Sequence, residues 1–220
     1  IEDINVKKKL FSDIEFKVGP NTMLATNTSS LSVTEIAAAC QRPERVMGLH
    51  FFNPAPLLPL VEVVPGLATS DQNRDRAFEL MRSWNKVPVV CKDTPGFIVN
   101  RVARPFYGES LRILEEGVAD VHTIDRALKE VGGFRMGPFE LMDLIGNDIN
   151  YLVTKTVWES FFFDPRYRPS FTQQRMVQAK WLGRKTGRGH YRYDDAGIIV
   201  TSGPETVLAA GTRDQYLMED

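Results

Sequence analysis

Cysteine is almost missing from this chain: Cys40 and Cys91 are the two thiols among 220 residues, with no CxxC and no Cys/His spacing around them. Such a pair makes neither a disulfide framework nor a structural zinc site. It suits a reducing compartment, so a cytoplasmic location is expected. Histidine is scarce as well. His50, His122 and His190 are scattered without ligand spacing, and no metal centre is expected. No apolar run approaches the ~20 residues that span a bilayer, so no membrane partner is expected. An excess of one charge is also lacking, since 27 basic against 28 acidic side chains leave a net charge of −1. That balance argues against nucleic acid or anionic lipid, which clustered Lys and Arg would hold. Residues 1–11, IEDINVKKKLF, carry neither a signal-peptide core nor an Arg/Ser-rich transit pattern. They also lack Met, and a true N-terminus upstream is expected.

What is present is ordinary globular text, 43% hydrophobic and long enough for two small domains with cores of their own. Ile4, Val6, Leu10, Phe11, Ile14 and Phe16 predict an amphipathic helix over 1–18, ended by Gly19-Pro20. Short strands are expected at 22–26, 46–52, 60–64 and 87–91. Between them, helices are expected from the capping-box pair Ser32/Glu35 to Ala39 and over 71–85. After Lys92 the period turns helical. Asp93-Thr-Pro-Gly96 supplies a cap and an early proline for a helix over 97–116, kinked near Pro105. Further helices are expected over 121–131, 138–144, 148–163 and 171–182. The expected fold class is α/β: a partial Rossmann-like, doubly wound domain over 1–92, then an all-α domain over 93–195. Residues 196–220 read as a tail or linker. The apolar faces of the helical part need a partner, and a dimer surface is expected there.

Asn27, Thr28, Ser29 and Ser30 follow a buried strand, and Ser32 already accounts for the next helix cap, so this polar cluster exceeds local structural needs. Open α/β sheets build ligand sites at such strand ends. His50 lies among Leu49, Phe51 and Phe52 at the end of another strand, and a buried imidazole can take a proton once its tautomer is fixed. Glu62, set among valines, needs a cationic or N–H partner, for which His50 is the natural candidate. Each residue also has a plainer reading: His50 as hydrogen-bonded core, Ser29 as a turn residue, Asn100 as a bond between helices. A Ser29/His50/Glu62 set would suit a hydrolase, although no GxSxG elbow surrounds either Ser29 or Ser30.

At these residues the chain resembles the 3-hydroxyacyl-CoA dehydrogenases of fatty-acid and aromatic-acid degradation. The matching text is NTSSLSVTEIA (27–37), GLHFFNPAPLLPLVEVV (48–64), KDTPGFIVNRVARPF (92–106), MGPFELMDLIG (136–146) and GRKTGRGHY (183–191), within residues 1–193. The stretches ARPFYGES (103–110) and RYRPSFTQQ (166–174) resemble the longer bacterial form linked to phenylacetate-type acyl-CoA breakdown. The resemblance implies NAD-dependent oxidation of an (S)-3-hydroxyacyl-CoA to a 3-oxoacyl-CoA by a homodimer. It implies His50 as general base, Glu62 as the carboxylate that orients it, and Ser29 and Asn100 as hydrogen-bond partners of the substrate oxygen. Glu2, Lys7, Ser29, Asn53 and Lys185 are the implied cofactor contacts. His190 stands where the family has Phe, and Arg184 where it has Lys. The family's GxGxxG loop, which holds the pyrophosphate, does not occur: Gly187-Arg-Gly189 lacks the third glycine. The chain is therefore expected to be a fragment of a longer dehydrogenase that binds NADH poorly alone. A non-catalytic dimerisation module and a Ser29-dependent acyl-CoA hydrolase are the rival readings.

Overall fold

The computed structural model describes residues 1–202 and divides into two compact units, Ile1–Arg101 and Val102 onward. In the first unit, α1 (Ile4–Glu15) begins at Asp3, whose carboxylate accepts the amides of Asn5 and Val6. Of the apolar residues that predicted this helix, Phe11 is buried and Ile4 and Ile14 pack beside it, whereas Val6, Leu10 and Phe16 are exposed. The helix is anchored at its far end by a buried ion pair. Arg45 reaches Glu15 at 3.3 Å, and the Glu15 carboxylate also accepts the amides of Gln41 and Arg42. Burial pushes this carboxyl up, but those donors outweigh it and hold it below the usual range.

The sheet runs β1 (Leu24–Thr26), β2 (Val46–Phe51), β3 (Leu60–Pro65), β4 (Val87–Val90) in spatial as in chain order. The outer pairs are parallel and β2/β3 is antiparallel. Met47, Leu49, Val61 and Val63 pack on Ala77 and Met81 of α3 (Asp71–Ser83), while Val46 and Leu24 pack on Phe11 of α1 and Ile36 of α2 (Val33–Ala37). Helices thus cover both faces, and the period-2 alternation of β2 supplies each. A fully buried side chain such as Met81 contributes about 1.5–3 kcal/mol over exposure. Gly48 is needed for the close approach of α2: a Cβ there would lie 3.0 Å from both Val33 and Val64.

Two local expectations change. The helix expected from residue 97 starts later, as α4 (Val99–Glu115), because Gly96 and Phe97 take positive φ values of 72° and 47° that no helix tolerates. Asp93 accordingly caps α2, not α4: its carboxylate accepts the amides of Val33 and Thr34. Ser32 caps α2 as expected, but the Glu35 carboxylate pairs with Lys8 at 3.2 Å, leaving the capping box half formed.

The second unit contains most of α4, which runs on through Pro105, then α5 (Val121–Glu130), α6 (Pro138–Ile145), α7 (Asn147–Ser160) and α8 (Phe171–Gln178). A hairpin of β5 (Tyr191–Tyr193) and β6 (Ile199–Ser202) closes it. Part of the stretch read as a tail is therefore a paired strand, and 203–220 lies outside the described residues. Tyr107, Leu111, Val121, Ile124, Phe139, Met142, Tyr191 and Tyr193 form the core. Two buried carboxylates organise it. Asp125 accepts the amides of Phe139 and Glu140, capping α6 from a neighbouring helix, and the Tyr191 hydroxyl at 2.8 Å. Asp143 accepts the amides of His190 and Tyr191 and the Tyr193 hydroxyl, so the GRKTGRGHY text is fixed to MDLIG by hydrogen bonds. His190 is fully buried edge-on to Phe139. No helix among the described residues is long and apolar enough to cross a membrane.

Candidate active site

The polar loop after β1 winds around Thr28, whose buried hydroxyl oxygen accepts the amides of Ser30 and Leu31. Glu2 secures it from outside, accepting the Thr28 hydroxyl and the Ser29 amide at 2.8 Å each. Asn27 accepts the Phe51 amide and so ties the loop to the end of β2. These bonds carry the Ser29 hydroxyl to 3.1 Å from His50 Nε2.

His50 is 4% exposed, with the rings of Phe52 and Phe97 edge-on at 4.6 and 5.7 Å. Its Nδ1 lies 2.6 Å from the Glu62 carboxylate. The other oxygen of Glu62 accepts the amides of Ile98 and Val99 at 2.9 Å each. Burial pushes the Glu62 carboxyl up, yet the bond from His50 and those two amides win and hold it below its ordinary range. An ionised carboxylate accepts only, so it fixes the proton on Nδ1 and leaves the Nε2 lone pair facing Ser29.

Ser29, His50 and Glu62 therefore come together directly, with Glu2 joined through Ser29. Asn100 is half-buried in the first turn of α4, one residue beyond the Val99 amide that Glu62 holds. Lys7 is half-buried with Nζ 3.4 Å from the Thr26 hydroxyl at the end of β1, and Asn53 is exposed just past β2. Lys185, in the second unit, is ion-paired with Asp148 at 2.5 Å. Two clefts of that unit, about 260 and 350 Å³, are lined by none of the expected site residues. Sequence reasoning missed the roles of Thr28 and Asp93 and of the amides at 98 and 99. An Asp before Thr-Pro-Gly reads naturally as a cap for the helix on its C-terminal side, and amide donors leave no trace in side-chain identity.

The Ser–His–carboxylate order matches a nucleophilic triad, but acyl transfer also needs amides free to receive an oxyanion. Here the amides of Ser29, Ser30 and Leu31 are already engaged. Nor does a cysteine offer a nucleophile: burial pushes the Cys91 thiol up to about 12. What the geometry suits is a base that takes a proton from a substrate oxygen placed beside Ser29.

An α/β sheet with such a base at its strand ends, followed by a helical unit, is matched along nearly all of the described chain. Residues 1–94 match the family described as 3-hydroxyacyl-CoA dehydrogenase, NAD binding domain, and residues 96–193 its C-terminal domain. The chain belongs to the 3-hydroxyacyl-CoA dehydrogenase family. It is 54% identical over 190 residues to 3-hydroxyadipyl-CoA dehydrogenase of Escherichia coli K12, covering 86% of this chain and 40% of that protein. It is 44% identical over 194 residues to 3-hydroxybutyryl-CoA dehydrogenase of Clostridioides difficile, covering 88% and 69%. The crystal structure of (S)-3-hydroxybutyryl-CoA dehydrogenase from Ralstonia eutropha superposes with a TM-score of 0.85 at 40% identity, covering 89% of this chain and 69% of that one. The chain thus spans between two fifths and about two thirds of the length of these relatives.

Proposed function

We propose that this chain carries the proton-handling site of an NAD-dependent 3-hydroxyacyl-CoA dehydrogenase, which converts an (S)-3-hydroxyacyl-CoA and NAD⁺ to a 3-oxoacyl-CoA, NADH and a proton. The observation that carries the reading is the continuous chain Ser29 Oγ, His50 Nε2, His50 Nδ1, Glu62 at 3.1 and 2.6 Å. His50 Nε2 takes the proton of the substrate 3-hydroxyl, and Glu62 stabilises the imidazolium so formed. Ser29 and Asn100 hold the reacting oxygen. When bound, NAD⁺ supplies the acceptor for the hydride leaving C3.

The residues present fit the nicotinamide end of that cofactor. Ser29 and Asn53 follow the C-terminal ends of parallel β1 and β2, and Lys7 Nζ lies 3.4 Å from the Thr26 hydroxyl that ends β1, where doubly wound sheets receive nucleotides. Glu2 acts there through the Ser29 loop, both its oxygens being engaged. Lys185 is assigned to the cofactor on the GRKTG text alone. For the acyl portion, the similarity to the E. coli protein named for 3-hydroxyadipyl-CoA favours a related acyl-CoA of an aromatic-acid or fatty-acid route.

Exposed Leu144, Ile145, Ile149 and Leu152 on α6 and α7 support a homodimer through the helical unit. The buried free thiols support a reducing, cytoplasmic setting. The test is NADH formation from (S)-3-hydroxyacyl-CoA substrates by the full-length protein, wild type and His50→Gln. Turnover should fall by about 10²–10⁴ with cofactor affinity nearly unchanged. Wild-type turnover by His50→Gln would remove His50 as the base, and thiol release without NADH would move the site to the hydrolases.

A further inference from the structure

We propose that Asp93 is a positioning residue of this site: its carboxylate ties the segment that carries Ser29 to the arch whose amides fix Glu62, and so sets the hydroxyl and the imidazole–carboxylate pair at one spacing. The inference deepens the dehydrogenase reading and rests on it for its catalytic consequence.

One end of the tie is the start of α2. Asp93 accepts the amides of Val33 at 3.0 Å and Thr34 at 2.7 Å and the Ser32 hydroxyl at 3.2 Å. That turn comes directly after the 27–31 loop, which itself is wound on Thr28 and Glu2. The other end is the arch 94–98. It is closed by the Phe97 amide on the Thr94 carbonyl, takes positive φ at Gly96 and Phe97, and presents the amides of Ile98 and Val99 to Glu62 at 2.9 Å. Phe97 is a bulky residue in a left-handed conformation, which persists only where the surroundings impose it. Its ring is buried against Val33 of α2, Val64 and Cys91 and stands edge-on to His50. Both links across this joint, Asp93 to the α2 amides and Phe97 to Val33, thus bear on the two supports of His50: Ser29 at Nε2 and Glu62 at Nδ1.

Removing the Asp93 charge loosens the arch, and Glu62 then loses the amides that aim it. The measurement reads His50 itself and needs no turnover. In the ¹⁵N-labelled chain, the Nδ1 proton of His50, identified by its loss in His50→Gln, should exchange with solvent about tenfold faster in Asp93→Asn. Asp93→Glu keeps the charge and both acceptors and should return the rate toward wild type. Ser32→Ala, which removes a single donor from Asp93, should move it the same way by a smaller factor. Ser70→Ala removes the equivalent cap of α3 away from the site. It should lower the melting temperature and leave the Nδ1 proton unchanged. An Asp93→Asn protein that melts lower yet exchanges this proton at the wild-type rate would make Asp93 a helix cap and overturn the proposal. In turnover of the full-length protein, Asp93→Asn should lower kcat by about 10- to 100-fold with KM for NAD⁺ within about twofold. A full-length protein inert toward NAD⁺ and acyl-CoA, in which Asp93→Asn still speeds the exchange, would uphold the tie and overturn the dehydrogenase reading.

Discussion

His50 and Glu62 stand directly opposite each other in the β2/β3 ladder, and their side chains meet at 2.6 Å. Residues opposite one another in an antiparallel pair project to the same face, so register alone delivers the base to its carboxylate. A slip of one residue would put the two on opposite faces. Glu62→Gln tests the electrostatic half of this pairing. The amide can turn its NH₂ to Nδ1, which then becomes the acceptor and sends the ring proton to Nε2, the wrong atom for a base. Turnover should fall by about 10²–10⁴, with substrate and cofactor KM little changed, in steady-state kinetics. A variant with near wild-type kcat would show that the tautomer is set by something else.

The same pairing gives stability an acid limb. Glu62 ionises more readily folded than unfolded, the bond from His50 and two amides outweighing its burial. A lowered folded value means the contribution is complete above the ordinary carboxylate value of about 4.5 and is lost as pH falls through the lower folded value. Glu15 has the same sign. Melting temperature should therefore drop steadily below about pH 4.5, and less steeply in Glu62→Gln. An identical acid limb in that variant would mean that Glu62 is not linked to folding.

How far the sequence discloses this site depends on which interactions leave a local mark. The alternation of β2 and β3 is written in apolar residues, and one Glu among valines announces that a partner must face it. The polar excess at 27–30 likewise marks the end of β1. Asp93 was legible as a cap, but which helix it caps depends on a chain reversal through Gly96 and Phe97 that a phenylalanine gives no reason to expect. Val6, Leu10 and Phe16 predicted a broad buried stripe on α1, of which one narrow face is realised. The strand at Ile199–Ser202 has weak periodicity because its pairing, with β5, is set by tertiary context.

In the helical unit, Gly189 of the GRKTGRGHY text is required by a carboxylate. A Cβ at Gly189 would sit 2.0 Å from the Asp143 oxygen that accepts the His190 amide. Gly189→Ala must displace that buried carboxylate from its amide and hydroxyl donors. The expected cost is about 1–3 kcal/mol or more in urea unfolding, with the His50 Nδ1 proton unaffected. A loss under about 0.5 kcal/mol would show that the Asp143 cluster shifts freely.

Lys86 holds the connection between Asn53 and β3 by a different device. Its ammonium lies 2.5 Å from the Ala55 carbonyl, 3.0 Å from that of Leu58 and 3.4 Å from that of Pro56. One compact cation gathers three carbonyls of a loop that exposes Leu57 and Leu58, where apolar packing gives little restraint. Lys86→Met keeps the stem and removes the donors, so these carbonyls turn to water and the loop opens. Stability should fall by about 1.5–3 kcal/mol, the range for hydrogen bonds to a charged group. Limited proteolysis should then cut within 55–58 first. Because the loop continues from Asn53, KM for the cofactor should rise while kcat stays near wild type. Lys86→Arg should rescue only in part, since a planar fork cannot converge on three oxygens as a point charge does. Proteolysis of Lys86→Met at the wild-type rate would mean that the loop is held by its backbone turn alone, in which the amides of Leu57 and Leu58 share the Pro54 carbonyl.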